Sequence, residues 1–317
     1  MARSTPSTLP AGDAAEAPAA AGRSAAALLL LSLRPEQWTK NLLVLAGMLF
    51  GRRLLDPGSV MIAGATFVAF CALSGAVYLF NDVVDREADR EHPLKRTRPI
   101  ASGALSARVA LLTAGLLGAA ALAASVAIRP ALGAVSAAYL ILLVLYSTAL
   151  KHVVIIDVLT IAAGFVLRAV AGAVVLAVPI SHWLLVCTTL LALFLALSKR
   201  RHELTLLVDG ATGHRRILEE YTPYLLDQMV SVVTASTLVA YVSYATSAET
   251  AERLDTHWLG LTIPFVLYGI FRYLYLVHQK RGGGSPAAML LTDRPLLVCV
   301  ALWTACVIVI LYSPLGR

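Results

Sequence analysis

Apolar runs of about 20 residues recur along this chain, separated by short polar segments, and each is long enough to cross a bilayer as a helix. Nine such spans are expected, at residues 37–53, 58–80, 106–128, 131–150, 153–177, 182–199, 226–246, 257–278 and 295–313. The first is the weakest, because Lys40, Asn41 and the Arg52-Arg53 pair bracket it tightly. Residues 25–33 form a short apolar stretch that reads as an interfacial helix or as part of that first span. Arg34-Pro35-Glu36 follows it instead of a small-residue cleavage site, so no signal-peptide cleavage is expected. Residues 1–24 are rich in Ala, Pro, Ser and Gly and read as a disordered cytoplasmic tail; 25–317 read as a single membrane domain.

Composition agrees with the pattern. Hydrophobic residues make up 58% of the 317 positions, charged residues 14%, and the mean hydropathy is +0.76. A soluble domain carries about 25% charged residues. The fold class is therefore all-α, a polytopic membrane bundle of nine transmembrane helices. A net charge of +7 in a soluble protein would raise nucleic acid as a partner. Here it is accounted for by basic loops that fix orientation, and no nucleic acid is expected. With the N-terminus in the cytoplasm, nineteen of the 26 Lys and Arg residues fall on the inner side, five on the outer side (Arg52, Arg53, Arg129, Arg253, Arg317), and Arg168 and Arg272 lie within spans. That bias predicts a multi-pass protein of the cell's inner membrane, with the 81–105, 200–225 and 279–294 loops all cytoplasmic.

Cys71, Cys187, Cys299 and Cys306 lie in apolar runs without metal-type spacing, and read as buried small hydrophobes. His92, His152, His202 and His214 share no ligand spacing with Cys or Glu. Gly282-Gly-Gly-Ser-Pro286 is a flexible loop with no strand before it, so it offers no phosphate cradle.

The chemistry concentrates in residues 81–103. Asp82, Asp85 and Asp89 fall within roughly 60° of one another on a helix, and Asn81 widens the arc to about 100°. Like charges at this spacing repel by a few tenths of a kcal/mol per pair, which a cation would relieve. Pro93 ends the helix, so Lys95, Arg96 and Arg98 follow on a bent loop able to fold back over the acidic stripe. Mg²⁺ takes one or two carboxylates and fills its shell with water and substrate phosphate, while Lys and Arg hold phosphate. The pair of clusters points to a magnesium-bound diphosphate at the membrane surface.

Asn81-Asp82-x-x-Asp85-x-x-x-Asp89 at the end of a second span resembles the first aspartate-rich motif of the UbiA-type intramembrane prenyltransferase superfamily. The resemblance implies nine helices around a central cavity, Mg²⁺ and a diphosphate substrate. Enzymes of that superfamily that move prenyl groups carry a second acidic motif after the sixth helix. Here the corresponding segment is Ser198-Lys199-Arg200-Arg201-His202-Glu203-Leu204, one carboxylate beside three fixed cations. A more cationic pocket fits a donor with more phosphate, such as phosphoribosyl diphosphate. The departure resembles the branch that transfers phosphoribose to decaprenyl phosphate. Further strings resemble it too: Arg34-Pro35-Glu-Gln37-Trp38-Thr-Lys40-Asn41, His92-Pro93-Leu-Lys95-Arg96-Thr-Arg98-Pro99, Tyr146-Ser147-Thr-Ala-Leu-Lys151, Gly164-Phe-Val-Leu-Arg168, Tyr268-Gly-Ile-Phe-Arg272 and Asp293-Arg294-Pro295.

The resemblance implies transfer of 5-phosphoribose from phosphoribosyl diphosphate to a polyprenyl phosphate, with diphosphate leaving, in the supply of cell-wall arabinan precursors. It makes Asp82, Asp85 and Asp89 the catalytic, metal-holding residues. It spreads substrate binding over Asn81, Lys40, Lys95, Arg98, Tyr146, Lys151, Asp157, Arg168, Lys199, Arg200, Glu203 and Arg272. A homo-oligomer stays open.

Arg168 lies mid-span, where a central Arg costs about 2.5–3.5 kcal/mol, so it should face inward with a partner. Asp157 precedes it by eleven residues, about 20° round the helix but about 16 Å along it, so the two should not pair. Asp157 suits a ribose hydroxyl, a contact behind the metal, or a helix N-terminal charge. Arg272 suits the lipid phosphate or an interfacial belt with Tyr268, Tyr273 and Tyr275. Lys199 and Glu203 are also spaced as an ordinary i,i+4 pair. Two other functions remain open: a prenyltransferase acting on an aromatic or other acceptor, and a lipid-binding or transport protein without catalysis.

Overall fold

The computed structural model describes residues 24–92, 95–208, 216–280 and 286–313. The expected tail up to residue 23, the Pro93 helix stop, His214 and the glycine loop at 282–285 lie outside the described residues. Those described form helices and connections, without strands. In order they are α1 (Ala25–Ser32), α2 (Ala46–Phe50), α3 (Pro57–Val84), α4 (Arg86–Glu91), α5 (Ala107–Ile128), α6 (Pro130–Thr148), α7 (Ile156–Val175), α8 (His182–Val208), α9 (Pro223–Thr246), α10 (Ala248–Leu254), α11 (Ile263–Gln279), α12 (Pro286–Thr292) and α13 (Arg294–Tyr312). Eight of these helices are long and apolar enough to span a membrane, among the described residues. They coincide with eight of the nine expected spans.

Polar caps set several of the starts. Asp56 accepts from Ser59 N–H ahead of α3, Thr222 from Leu225 N–H ahead of α9, and Asp293 from Leu296 N–H ahead of α13. Each is followed by a proline in the first turn, where the missing N–H costs nothing. Leu112 and Leu116 of α5 stay 68% and 74% exposed, as lipid-facing residues must.

The ninth expected span, 37–53, takes another form. A 3-10 helix over Pro35–Leu45 runs into the short α2. It still crosses the bundle. Arg34 reaches Asp82 near the C-terminus of α3, whereas Leu54 N–H donates to the Tyr312 hydroxyl beside the N-terminus of α3. Eleven residues at about 2.0 Å and five at about 1.5 Å give a rise close to 30 Å. A 3-10 stretch this long is uncommon. Close packing holds it: a Cβ on Gly172 would overlap the Val44 carbonyl, and one on Gly47 would lie 2.7 Å from the Gly172 carbonyl carbon. Gly172→Ala should therefore destabilise the bundle by about 1–3 kcal/mol. A detergent thermal melt that matched wild type would show that this contact does not hold the segment.

α3 and α7 are the inner helices. Over half of each span (56%) is buried, against 22–33% for the other six. Those two helices carry Asp82, Asp157 and Arg168.

Candidate active site

The acidic stripe lies at one end of the bundle. α3 runs past the expected Phe80 to Val84, and the chain turns at Asp85 into α4. The i→i+4 backbone bonds Asp85→Asn81 and Asp89→Asp85 persist across this turn, at 2.9 and 2.8 Å, so the stripe stays coherent. Asp82 and Asp89 are buried, and Asp85 is partly exposed.

Each carboxylate is held by cations from other segments. Arg98 bridges two of them, 3.1 Å from Asp82 and 2.6 Å from Asp89. Arg34 forms a second ion pair with Asp82, and its guanidinium stacks 4.9 Å over the Tyr78 ring. Lys95 stands 4.0 Å from Asp89. Lys151 pairs with Asp85, whose other oxygen accepts from Asn81 at 3.1 Å. The loop after Pro93 thus folds back over the stripe. Four cations surround three carboxylates. Among the described residues no three His, Cys, Asp or Glu are placed to hold an ion together, because the cations stand between the aspartates.

A second cluster gathers on α8, which continues as one helix through Lys199 and Glu203 instead of ending at 199. Arg200 is nearly sealed from solvent. It donates to Asp157 at 2.7 Å, Glu203 at 2.5 Å and the Tyr146 hydroxyl at 3.3 Å. Asp157 is completely buried in the first turn of α7, and its other oxygen accepts from the Tyr221 hydroxyl at 2.9 Å. Burial pushes the Tyr221 phenol up to about 12, so it stays a donor. Tyr221 in turn accepts the Ile155 N–H at 2.8 Å, pinning a residue with φ of +68° at the start of α7. Each oxygen of Asp157 thus accepts one hydrogen bond from protein. Lys199 is more exposed and lies 3.8 Å from Glu203.

The end of α6 joins the clusters: Tyr146 meets Arg200, and Lys151, just beyond, meets Asp85. Lys40 lies between them. The fixed charges acting on it are Lys199, Arg168 and Arg34, with Glu36 of opposite sign. Among the described residues no hydrogen bond or ion pair engages its ammonium.

Two expected site residues sit elsewhere. Arg168 does find partners, and they use all its nitrogens: Nε to Asn41 at 2.8 Å, one terminal nitrogen to the Gly164 carbonyl at 3.0 Å, the other to the Tyr139 hydroxyl at 2.6 Å. Asn41 donates onward to Ser74 at 3.1 Å. This buried knot ties the 3-10 segment to α3, α6 and α7. Arg272 forms a two-pronged pair with Asp293 at 3.1 and 2.8 Å. That pair holds the Asp293 carboxyl below the ordinary range. Arg34 and Tyr221 were absent from the expected site. Arg34 stood in a string that resembles the family, but nothing local announced a partner 48 residues away.

Comparison with known proteins decides the lineage. Residues 41–293 match the model of the UbiA prenyltransferase family. The chain belongs to that family. It is 36% identical over 288 residues to the decaprenyl-phosphate phosphoribosyltransferase of Mycolicibacterium smegmatis, covering 87% of this chain and 89% of the relative. It is 33% identical over 289 residues to the protein of the same name from Corynebacterium glutamicum, covering 90% and 86%. Among solved structures it is similar to a UbiA homologue from Archaeoglobus fulgidus bound to GPP and Mg²⁺. That likeness has a TM-score of 0.69 at 20% identity and covers 88% of this chain and 98% of the other, which shows the fold. This UbiA-family chain is accordingly a multi-pass membrane protein.

Proposed function

We propose that this UbiA-family protein transfers 5-phosphoribose from phosphoribosyl diphosphate to a polyprenyl phosphate at the cytoplasmic face of the plasma membrane. The observation that carries the reading is the similarity, over nearly the whole chain, to curated decaprenyl-phosphate phosphoribosyltransferases. The surplus of cations around the two clusters supports it, since the donor brings a 5-phosphate in addition to its diphosphate. A prenyl diphosphate as donor is the second reading, favoured by the GPP-bound structural neighbour.

The donor set fits Mg²⁺ through one or two of Asp82, Asp85 and Asp89, with phosphate oxygens completing the shell. When bound, the ion supplies charge neutralisation of the diphosphate. The side chains do the rest by exchanging partners. Arg98, Arg34, Lys95 and Lys151 now neutralise carboxylates; with donor present they turn toward its phosphates. The lipid phosphate is already anionic at neutral pH, so no general base is required. One of its oxygens attacks the anomeric carbon, the bond from that carbon to the diphosphate oxygen breaks, and diphosphate departs with the electron pair. Lys40, with no ion pair among the described residues, attracts an anionic phosphate toward the two clusters. Arg200, locked by Asp157, holds Glu203 and Tyr146 in position.

Diphosphate release by the purified protein should require phosphoribosyl diphosphate, polyprenyl phosphate and Mg²⁺ together. It should stop on chelation with EDTA and return with added Mg²⁺. Full release in the presence of EDTA would remove the metal from the mechanism. Binding of the lipid without any release would favour a carrier. Lys40→Gln should lower turnover about tenfold or more, the loss of one charge-assisted contact, while leaving the melting temperature near wild type. Unchanged steady-state kinetics in that variant would remove Lys40 from the site.

A further inference from the structure

Among the described residues, the end of the bundle opposite the aspartates carries Arg52, Arg53, Arg129 and Arg253, and three of them converge. Arg52, Arg53 and Arg253 line one cavity of about 280 Å³ between the end of α2, the connection after α7 and α10. The Tyr244 hydroxyl, which lies against Arg253, and Ser181 add neutral polar groups. Gly51 forms part of its wall and has no room for a side chain: a Cβ there would lie 2.8 Å from Val178. Arg52 and Ala177, both lining the cavity, hold left-handed backbone with φ of +54° and +51°. Such conformations in non-glycine residues cost free energy and persist only where the surroundings enforce them.

The charges do not cancel locally. Arg52 has Asp255 at 3.7 Å, a carboxylate that is largely exposed, and its Nε donates to the Leu311 carbonyl at 3.1 Å, which carries no countercharge. Asp56, which also feels Arg53, is committed to the N–H and hydroxyl of Ser59. Among the described residues, no carboxylate pairs with the side chains of Arg53 or Arg253. Arg129, also at this end, donates to the Val174 carbonyl at 2.9 Å. Basic residues at this end run against the bias that orients the chain, so three in one cavity call for an anionic counterpart. Guanidinium groups match phosphate oxygens in geometry, and the volume admits a phosphate with a short stem but not a nucleotide.

We infer that this cavity is a second anion site, separate from the transfer site and at the opposite membrane face, that takes a phosphate group. Its chemistry is that of a phosphate ester, from either an anionic phospholipid headgroup or free phosphate.

The test uses full-length protein in neutral detergent, titrated separately with phosphatidylglycerol, phosphatidylcholine and inorganic phosphate, with binding read by native mass spectrometry and thermal shift. Phosphate can also occupy the transfer site, so the difference between wild type and variants isolates the second site. Arg53→Gln and Arg253→Gln should each weaken phosphatidylglycerol binding about tenfold and leave phosphoribosyl transfer at the wild-type rate. Arg53 is exposed and, among the described residues, makes no side-chain bond, so its variant should fold even if that of Arg253 does not. Loss of the lipid response alone assigns the site to a headgroup, and loss of the inorganic phosphate response as well assigns it to free phosphate. Equal binding of both probes by wild type and Arg53→Gln would overturn the inference, as would a preference for phosphatidylcholine.

Discussion

Asp82→Asn should reduce transfer by about 10²–10³-fold or more, the range seen when one electrostatic contact to a developing charge is removed. Asp82 is buried and receives both Arg34 and Arg98, so the amide keeps the shape and loses the charge that orients two guanidinium groups. The bundle should still fold, because each arginine keeps a second contact: Arg98 to Asp89, and Arg34 stacked on Tyr78. Asp85→Asn should behave in the same way, through loss of the Lys151 pair. The check is initial rate alongside an unchanged size-exclusion profile. Near-wild-type rates in either variant would remove these aspartates from the chemistry.

Arg200→Gln should cost more in stability. Arg200 and Asp157 are both buried, and removing one member of such a pair leaves the other charged without compensation, at about 3–5 kcal/mol. Tyr221 would remain as the single donor to Asp157, and Glu203 and Tyr146 would lose their anchor. The expected result is a sharply lowered melting temperature with loss of transfer. Arg200→Lys should not rescue it, since one ammonium cannot reproduce three differently directed guanidinium bonds. A lysine variant with wild-type melting and activity would show that the triple contact is unimportant.

Hydropathy alone located eight spans, because a helix in lipid must satisfy its own backbone and be apolar over its whole length. The crossing at 37–53 was legible as a segment but not as a 3-10 helix. That form depends on Gly47 and Gly172 meeting across the bundle, a contact with no local trace. The aspartate stripe was legible from spacing. Its pairing with Arg34 and Lys151 was not, since those partners lie 48 and 66 residues away. Arg168 shows how far a buried charge can be read from sequence. Its cost inside the membrane was correctly expected to demand a partner, and the partners proved to be Asn41, Tyr139 and a carbonyl that lock the core. Asp157 and Arg200 were legible singly as buried charges, and their pairing, across 43 residues of sequence, was not. Asp82 and Asp89 are buried, and the stripe is linked toward α8 at the end of α6, where Lys151 meets Asp85 and Tyr146 meets Arg200.

The identity of the donor tests the account most directly. Purified protein should be given labelled phosphoribosyl diphosphate with polyprenyl phosphate, and in parallel labelled geranyl diphosphate with an aromatic acceptor, both with Mg²⁺. The account predicts a lipid product carrying labelled 5-phosphoribose, stoichiometric diphosphate, and no prenylated product. Prenyl transfer in the second reaction, with no phosphoribosylated lipid in the first, would contradict it.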